Sequence, residues 1–182
     1  MKVEINKSMK LSEHFTLGEL CKTKHVTEDG NIPSHVSIEN LKRICENWLE
    51  DLRYSYNMLY VHSGVRPQSK VAGDCTLAPD PGAAPETEEA IVINSGYRSP
   101  SVNQLAGGAK TSNHLSGCAV DIRCVGKEQM IRYASILLDI ADGTKQDYDE
   151  LLLEQHGNIC WLHFAVRPPS QGNRRKIDFL KG

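Results

Sequence analysis

No stretch of this chain approaches the roughly 18–20 consecutive apolar residues that a membrane-spanning helix needs, which excludes a transmembrane helix. Charge of one sign is also missing. Lys and Arg number 21 against 23 Asp and Glu, for a formal net charge of -2. That near balance argues against a nucleic-acid binder that works through a broad basic field. The opening MKVEINKSMKLSEHF lacks the apolar core of about 7–15 residues that a secretory signal requires. The expectation is cytoplasmic synthesis, or an exported protein already trimmed. The six cysteines, at 21, 45, 75, 118, 124 and 160, contain no C-x-x-C pair. Without an export signal they are expected to be buried free thiols rather than disulfides.

What is present is an ordinary globular composition, 40% hydrophobic and 24% charged in 182 residues. That length suits one domain, 1–182, with a long loop inserted at about 62–89. Prolines, Gly82 and the acidic run Glu86–Glu89 predict irregular backbone there. Residues 63–74 faintly echo 95–108, too few units for a repeat fold. A short helix is expected near Leu17–Cys21. The clearest helix is 36–53, where Leu41, Ile44, Cys45, Trp48, Leu49 and Leu52 form one apolar stripe.

Residues 90–94 read as a short buried strand. Ser99-Pro100 then reads as an N-cap with proline in the first helical position, and Gly107-Gly108 ends that helix. Residues 118–124 alternate: Cys118, Val120, Ile122 and Cys124 face one way, Ala119, Asp121 and Arg123 the other. A second amphipathic helix is expected over 127–141, stopped by Gly143. Strands at 150–155 and 160–166 flank Gly157-Asn158, a hairpin turn pair. The basic tail, 167–182, reads as a surface strap. The class is α+β, a small antiparallel sheet with helices packed on it.

Three residues carry chemistry. His114 lies in a loop, Asp121 mid-strand between apolar neighbours, and His163 mid-strand in WLHFAV. A carboxylate in the middle of a strand is costly unless something pairs it. Two imidazoles and one carboxylate make a catalytic zinc set that leaves a fourth position for water. The same residues also suit hydrogen-bonded core positions, and spacing alone does not choose. His14, His25, His35 and His62 have no partner at metal spacing and are expected to be solvated. Cys118 and Cys124 read as small core residues.

Ser112–Asp121, SNHLSGCAVD, matches S-x-H-x-x-G-x-A-x-D, and SGYRSP at 95–100 and Trp161-Leu162-His163 follow the same order. In these elements the chain resembles the zinc D-Ala-D-Ala carboxypeptidases and dipeptidases, a family that includes phage cell-wall endopeptidases and shares its metal fold with Hedgehog domains. LSEHFTLGEL at 11–20 and Asn40-Leu41 resemble the carboxypeptidase branch.

The resemblance implies Zn2+ on His114, Asp121 and His163. It places Arg98 in the cleft against a substrate oxygen anion and Ser112 as a substrate contact. It also implies peptidoglycan stem peptides as the partner, and action at the bacterial cell wall, as by a phage or prophage enzyme released at lysis. The alternatives are a phage-type endopeptidase, a zinc-containing peptidoglycan-binding module without hydrolysis, and a purely structural zinc site. Many relatives carry Asp or Glu three residues before the last His, where this chain has Cys160. A thiol is a poor substitute. Glu154 is the remaining candidate base. If Gly157-Asn158 is a two-residue turn, Glu154 pairs with Trp161, Leu152 lies opposite His163, and Glu154 becomes a diagonal neighbour of His163 on one face. The alternative for Glu154 is to orient a ligand His through a hydrogen bond to its ring. His156 is a further possible base, more readily a surface residue.

Overall fold

The apolar stripe of the long N-terminal helix supplies one wall of the core. The computed structural model describes residues 6–61 and 88–182. The expectations placed on 62–87, the long loop, its echo and His62, lie outside the described residues. Thr16 caps α1 (Leu17–Leu20) through a capping box with Glu19. Ser34 caps α2 (His35–Ile44), accepting from Ser37 N–H. The helix then widens into a π turn at Cys45–Leu49, returns as α3 (Glu50–Tyr56) and widens again at Asn57–Val61. Leu41, Ile44, Cys45, Trp48, Leu49 and Leu52 are all buried, as the stripe predicts.

The other wall is a five-stranded sheet in the order β1-β2-β4-β3-β5. Its strands are β1 (Ile93–Ser95), β2 (Ala119–Cys124), β3 (Glu150–His156), β4 (Ile159–Ala165) and β5 (Lys176–Lys181). α4 (Pro100–Leu105), capped by Ser99, follows β1, and α5 (Gly126–Thr144) joins β2 to β3. Val120, Ile122, Leu151, Leu153, Leu162 and Phe164 point from the sheet into the core shared with the helices. Trp48 meets Phe164 there with ring centroids 4.9 Å apart. Truncating Trp48 to alanine would cost about 3–5 kcal/mol. Cys21, Cys45, Cys118, Cys124 and Cys160 are buried free thiols.

The class is α+β, with three corrections to the local expectations. The sheet is mixed, because β5 runs parallel to β3 at the edge. The tail is therefore not a strap alone: Lys176–Lys181 complete the sheet, with Lys176 and Lys181 at the ends of the exposed strand. α5 passes through Gly143 and ends after Thr144, where Lys145 takes the left-handed conformation. One glycine costs a helix only about 1 kcal/mol. His14 is exposed, as expected, and its Nδ1 lies 2.7 Å from Glu50 Oε2.

The hairpin register matters most for function. His156 pairs with Ile159, Glu154 with Trp161 and Leu152 with His163, as the two-residue turn requires. Ser95 pairs with Asp121, and Asp121 with His163. Ser95, Asp121, His163 and Leu152 thus form one row across four strands, on the face away from the core.

Candidate metal centre

His114 is placed by a short turn rather than by a strand. Ser112 Oγ accepts from His114 N–H at 3.3 Å and starts a 3-10 turn over Asn113–Ser116. Gly117 ends the turn at φ +70, where a side chain is strained, and a Cβ there would overlap the Ser37 carbonyl oxygen of α2. Asn40 on the same helix donates to Ser116 C=O at 2.9 Å. The Arg98 N–H donates to His114 C=O at 3.1 Å, tying the turn to the end of β1. His114 therefore hangs over the sheet beside Asp121 and His163.

The three side chains converge. His114 Nε2 lies 3.2 Å from His163 Nδ1 and 3.2 Å from Asp121 Oδ1, and His163 Nδ1 lies 3.0 Å from Asp121 Oδ1. All three residues are buried. Zinc–ligand bonds of about 2.0–2.1 Å at tetrahedral angles put donor atoms roughly 3.3 Å apart, close to this triangle.

The ring orientations sharpen the fit. His114 Nδ1 lies 2.6 Å from the Gly96 carbonyl oxygen, which can only accept, so that nitrogen carries the proton. His163 Nε2 faces Glu150 Oε2 at 3.6 Å. With protons on those two nitrogens, the lone pairs of His114 Nε2 and His163 Nδ1 both point at the Asp121 carboxylate. Three electron-pair donors aimed at one point repel each other unless a cation sits among them.

Charge in the site favours such a cation. Burial opposes ionisation of Asp121, but the charges and hydrogen bonds of His114 and His163 outweigh it and hold the carboxyl well below its usual range. Burial likewise opposes the His163 imidazolium, yet the Asp121 and Glu150 carboxylates overcome it and push the ring up to about 9. A field strong enough to hold that proton also attracts a dication, with which the proton competes.

Around the triad lies a cleft of about 550 Å³ that reaches Arg98, Ser112, Glu150, Glu154, Arg167 and Arg174. Arg98 donates to Asp121 Oδ2 and, through Nε, to Ser95 Oγ at 2.8 Å. Glu154 is half-buried on the cleft face. Burial, with the nearby Asp121 charge, raises its pKa against the pull of His163 and Arg98, which makes it a better proton acceptor. Cys160 lies on the other face, in the core with Leu162 and Phe164. In a regular strand, the position three residues before His163 points away from it.

Residues 85–147 match the Peptidase M15 family model. The match supports a metallopeptidase of the M15 superfamily. It spans Arg98, His114 and Asp121 and stops before Glu150, Glu154 and His163, which the hairpin brings to the same cleft. No curated protein matches the chain.

Sequence reasoning missed the residues behind the three candidate donors. Asn113 Nδ2 donates to Asp149 Oδ2 at 2.9 Å and to Glu150 Oε2 at 3.0 Å. Asp149, wholly buried, also accepts from Arg174 at 2.7 and 2.8 Å and pairs with Arg167 at 3.0 Å. The signal available was period two: Glu150 precedes Leu152 and Glu154 on one face of β3.

Proposed function

We propose that this chain is a zinc-dependent peptidase that hydrolyses D-Ala-D-Ala or related bonds in peptidoglycan stem peptides, acting as a carboxypeptidase at the bacterial cell wall. The observation that carries the reading is the convergence of two imidazole lone pairs on a buried carboxylate, His114 Nε2 and His163 Nδ1 against Asp121 Oδ1 at 3.2 and 3.0 Å. Zinc held by these residues supplies Lewis acidity and lowers the pKa of water toward about 7.

The chain's own residues do the rest. Glu154, on the cleft face and with raised basicity, takes a proton from the attacking water and returns it to the leaving amine. Arg98, next to Asp121, offers a fixed guanidinium to oxygen charge that develops on the scissile carbonyl. Ser112, which caps the turn that presents His114, lines the cleft and contacts the peptide.

The burial of Cys160 in the core favours one second reading, a peptidoglycan-binding module without hydrolysis, because β4 brings no carboxylate to the cleft. The test is incubation of zinc-loaded protein with a stem pentapeptide ending in D-Ala-D-Ala, with products identified by mass. Release of single alanine supports the carboxypeptidase, and internal fragments identify an endopeptidase. Binding without any cleavage supports the module.

A further inference from the structure

The cleft does not end at the ligand triad. Past Arg98 and Trp161 it adjoins a second hollow of about 500 Å³, walled by Lys22–His25 after α1, by Asn94 and Ser95, by Val102 of α4 and by Ala106, which ends that helix. The two hollows share Arg98, Ala106, Asp121 and Trp161. They adjoin along these four residues, with Asp121 lining both.

The hollows differ in charge. The hollow beside β3 carries Glu150 and Glu154, and its Arg167 and Arg174 are already paired with Asp149 and Glu150. The hollow beside α1 carries Lys22, Lys24 and His25, and its one carboxylate, Asp121, is engaged by Arg98 and both imidazoles. Among the described residues neither lysine has a carboxylate partner. The lysine-bearing wall is held in place. Tyr97 N–H donates to Leu20 C=O at 2.8 Å, and Asn31 Nδ2 donates to the carbonyls of Cys21 and Tyr97 at 2.9 and 3.2 Å.

We propose that the Lys22–His25 hollow is the subsite for a carboxylate on the leaving side of the scissile bond. This rests on the peptidase reading and gives the substrate a direction. A groove lined by charge of one sign concentrates the opposite charge, and Glu150 and Glu154 repel a carboxylate from the other hollow. Each extended residue spans about 3.5 Å, so a carboxylate one or two residues beyond the scissile carbonyl leaves the triad and enters the adjoining hollow. The acyl portion then lies along β3 and Arg174. The substrate class is a peptide with a free carboxylate close behind the cleaved bond.

The test uses a stem peptide whose scissile amide is replaced by a ketomethylene link, in two forms, free C-terminal acid and C-terminal amide. Binding of each to the zinc-loaded protein is measured by calorimetry, and cleavage of the ordinary pentapeptide is assayed separately. Two exposed ion pairs predict that the acid binds about tenfold tighter than the amide, and that added salt narrows the gap. In the double variant Lys22→Gln, Lys24→Gln the preference disappears, the acid binding no tighter than the amide. Equal binding of both forms to the wild type, or a preference that survives in the double variant, overturns the subsite. A lysine-dependent preference without any cleavage keeps the subsite and removes hydrolysis. Cleavage with a lysine-independent preference does the reverse.

Discussion

Glu150 Oε2 lies 3.6 Å from Nε2 of His163, the ring nitrogen that does not face Asp121. The contact selects the tautomer that frees Nδ1 for a metal. Hydrogen bonds from Asn113 and Arg174 hold the carboxylate in turn, with Arg174 at 2.9 Å. Partners of this kind are worth roughly 10–100-fold in metal affinity. Glu150→Ala should therefore weaken zinc binding by about that factor, read by competition with a chromophoric chelator. Glu150→Gln, which keeps an acceptor oxygen, should lose less. Equal zinc affinity in wild type and Glu150→Ala would show that the contact is idle.

Glu154 faces the same cleft without touching the triad, so its loss should separate chemistry from metal binding. Glu154→Gln is expected to lower peptide hydrolysis by about 10²–10⁴-fold and to leave bound zinc unchanged by elemental analysis. A fully active variant would move the base elsewhere.

Asp149 is the hub that ties the C-terminal segment to the His114 turn. Burial alone would raise its carboxyl, but hydrogen bonds from Arg174 and Asn113, with the charges of Arg174 and Arg167, outweigh it and hold it below the usual range. A carboxyl whose pKa is depressed by folding contributes stability that is full above the unfolded value, 3.8, and is lost as pH falls through the folded value. Asp149→Asn should cost about 2–3 kcal/mol near neutral pH. Thermal melts from pH 6 down to about pH 3 should show a shallower acid decline in the variant than in the wild type. Parallel curves would rule out this linkage.

Gly117 holds a left-handed conformation against the α2 backbone, one residue beyond the turn that presents His114. Gly117→Ala should cost about 1–3 kcal/mol through backbone conformation alone, with the overlap at Ser37 added. The expected readout is a lowered melting temperature together with weaker zinc binding. A melting temperature equal to that of the wild type would contradict the close approach.

Much of this was legible in the chain because the deciding forces are local. Ser99-Pro100 announced α4, and the 36–53 stripe announced the long helix, though not its π turns, which leave the buried stripe in place. Gly157-Asn158 set a two-residue turn, and strand alternation then carried Glu154 to the face of His163. Less legible was β5, whose pairing with β3 rests on backbone hydrogen bonds that show little in side-chain pattern. His14 found Glu50 across 36 positions of chain, a distance no local pattern spans.

The sequence by itself determined the kinds of donor, two imidazoles and a carboxylate, and the strand faces that Asp121 and His163 occupy, because turn chemistry and the two-residue period act between neighbours in the chain. Only the tertiary structure decided which nitrogen of each ring looks inward. That choice belongs to the Gly96 carbonyl and the Glu150 carboxylate, and to the Asp149 ion-pair hub behind them. The proton of an imidazole goes to whichever acceptor packing brings within reach.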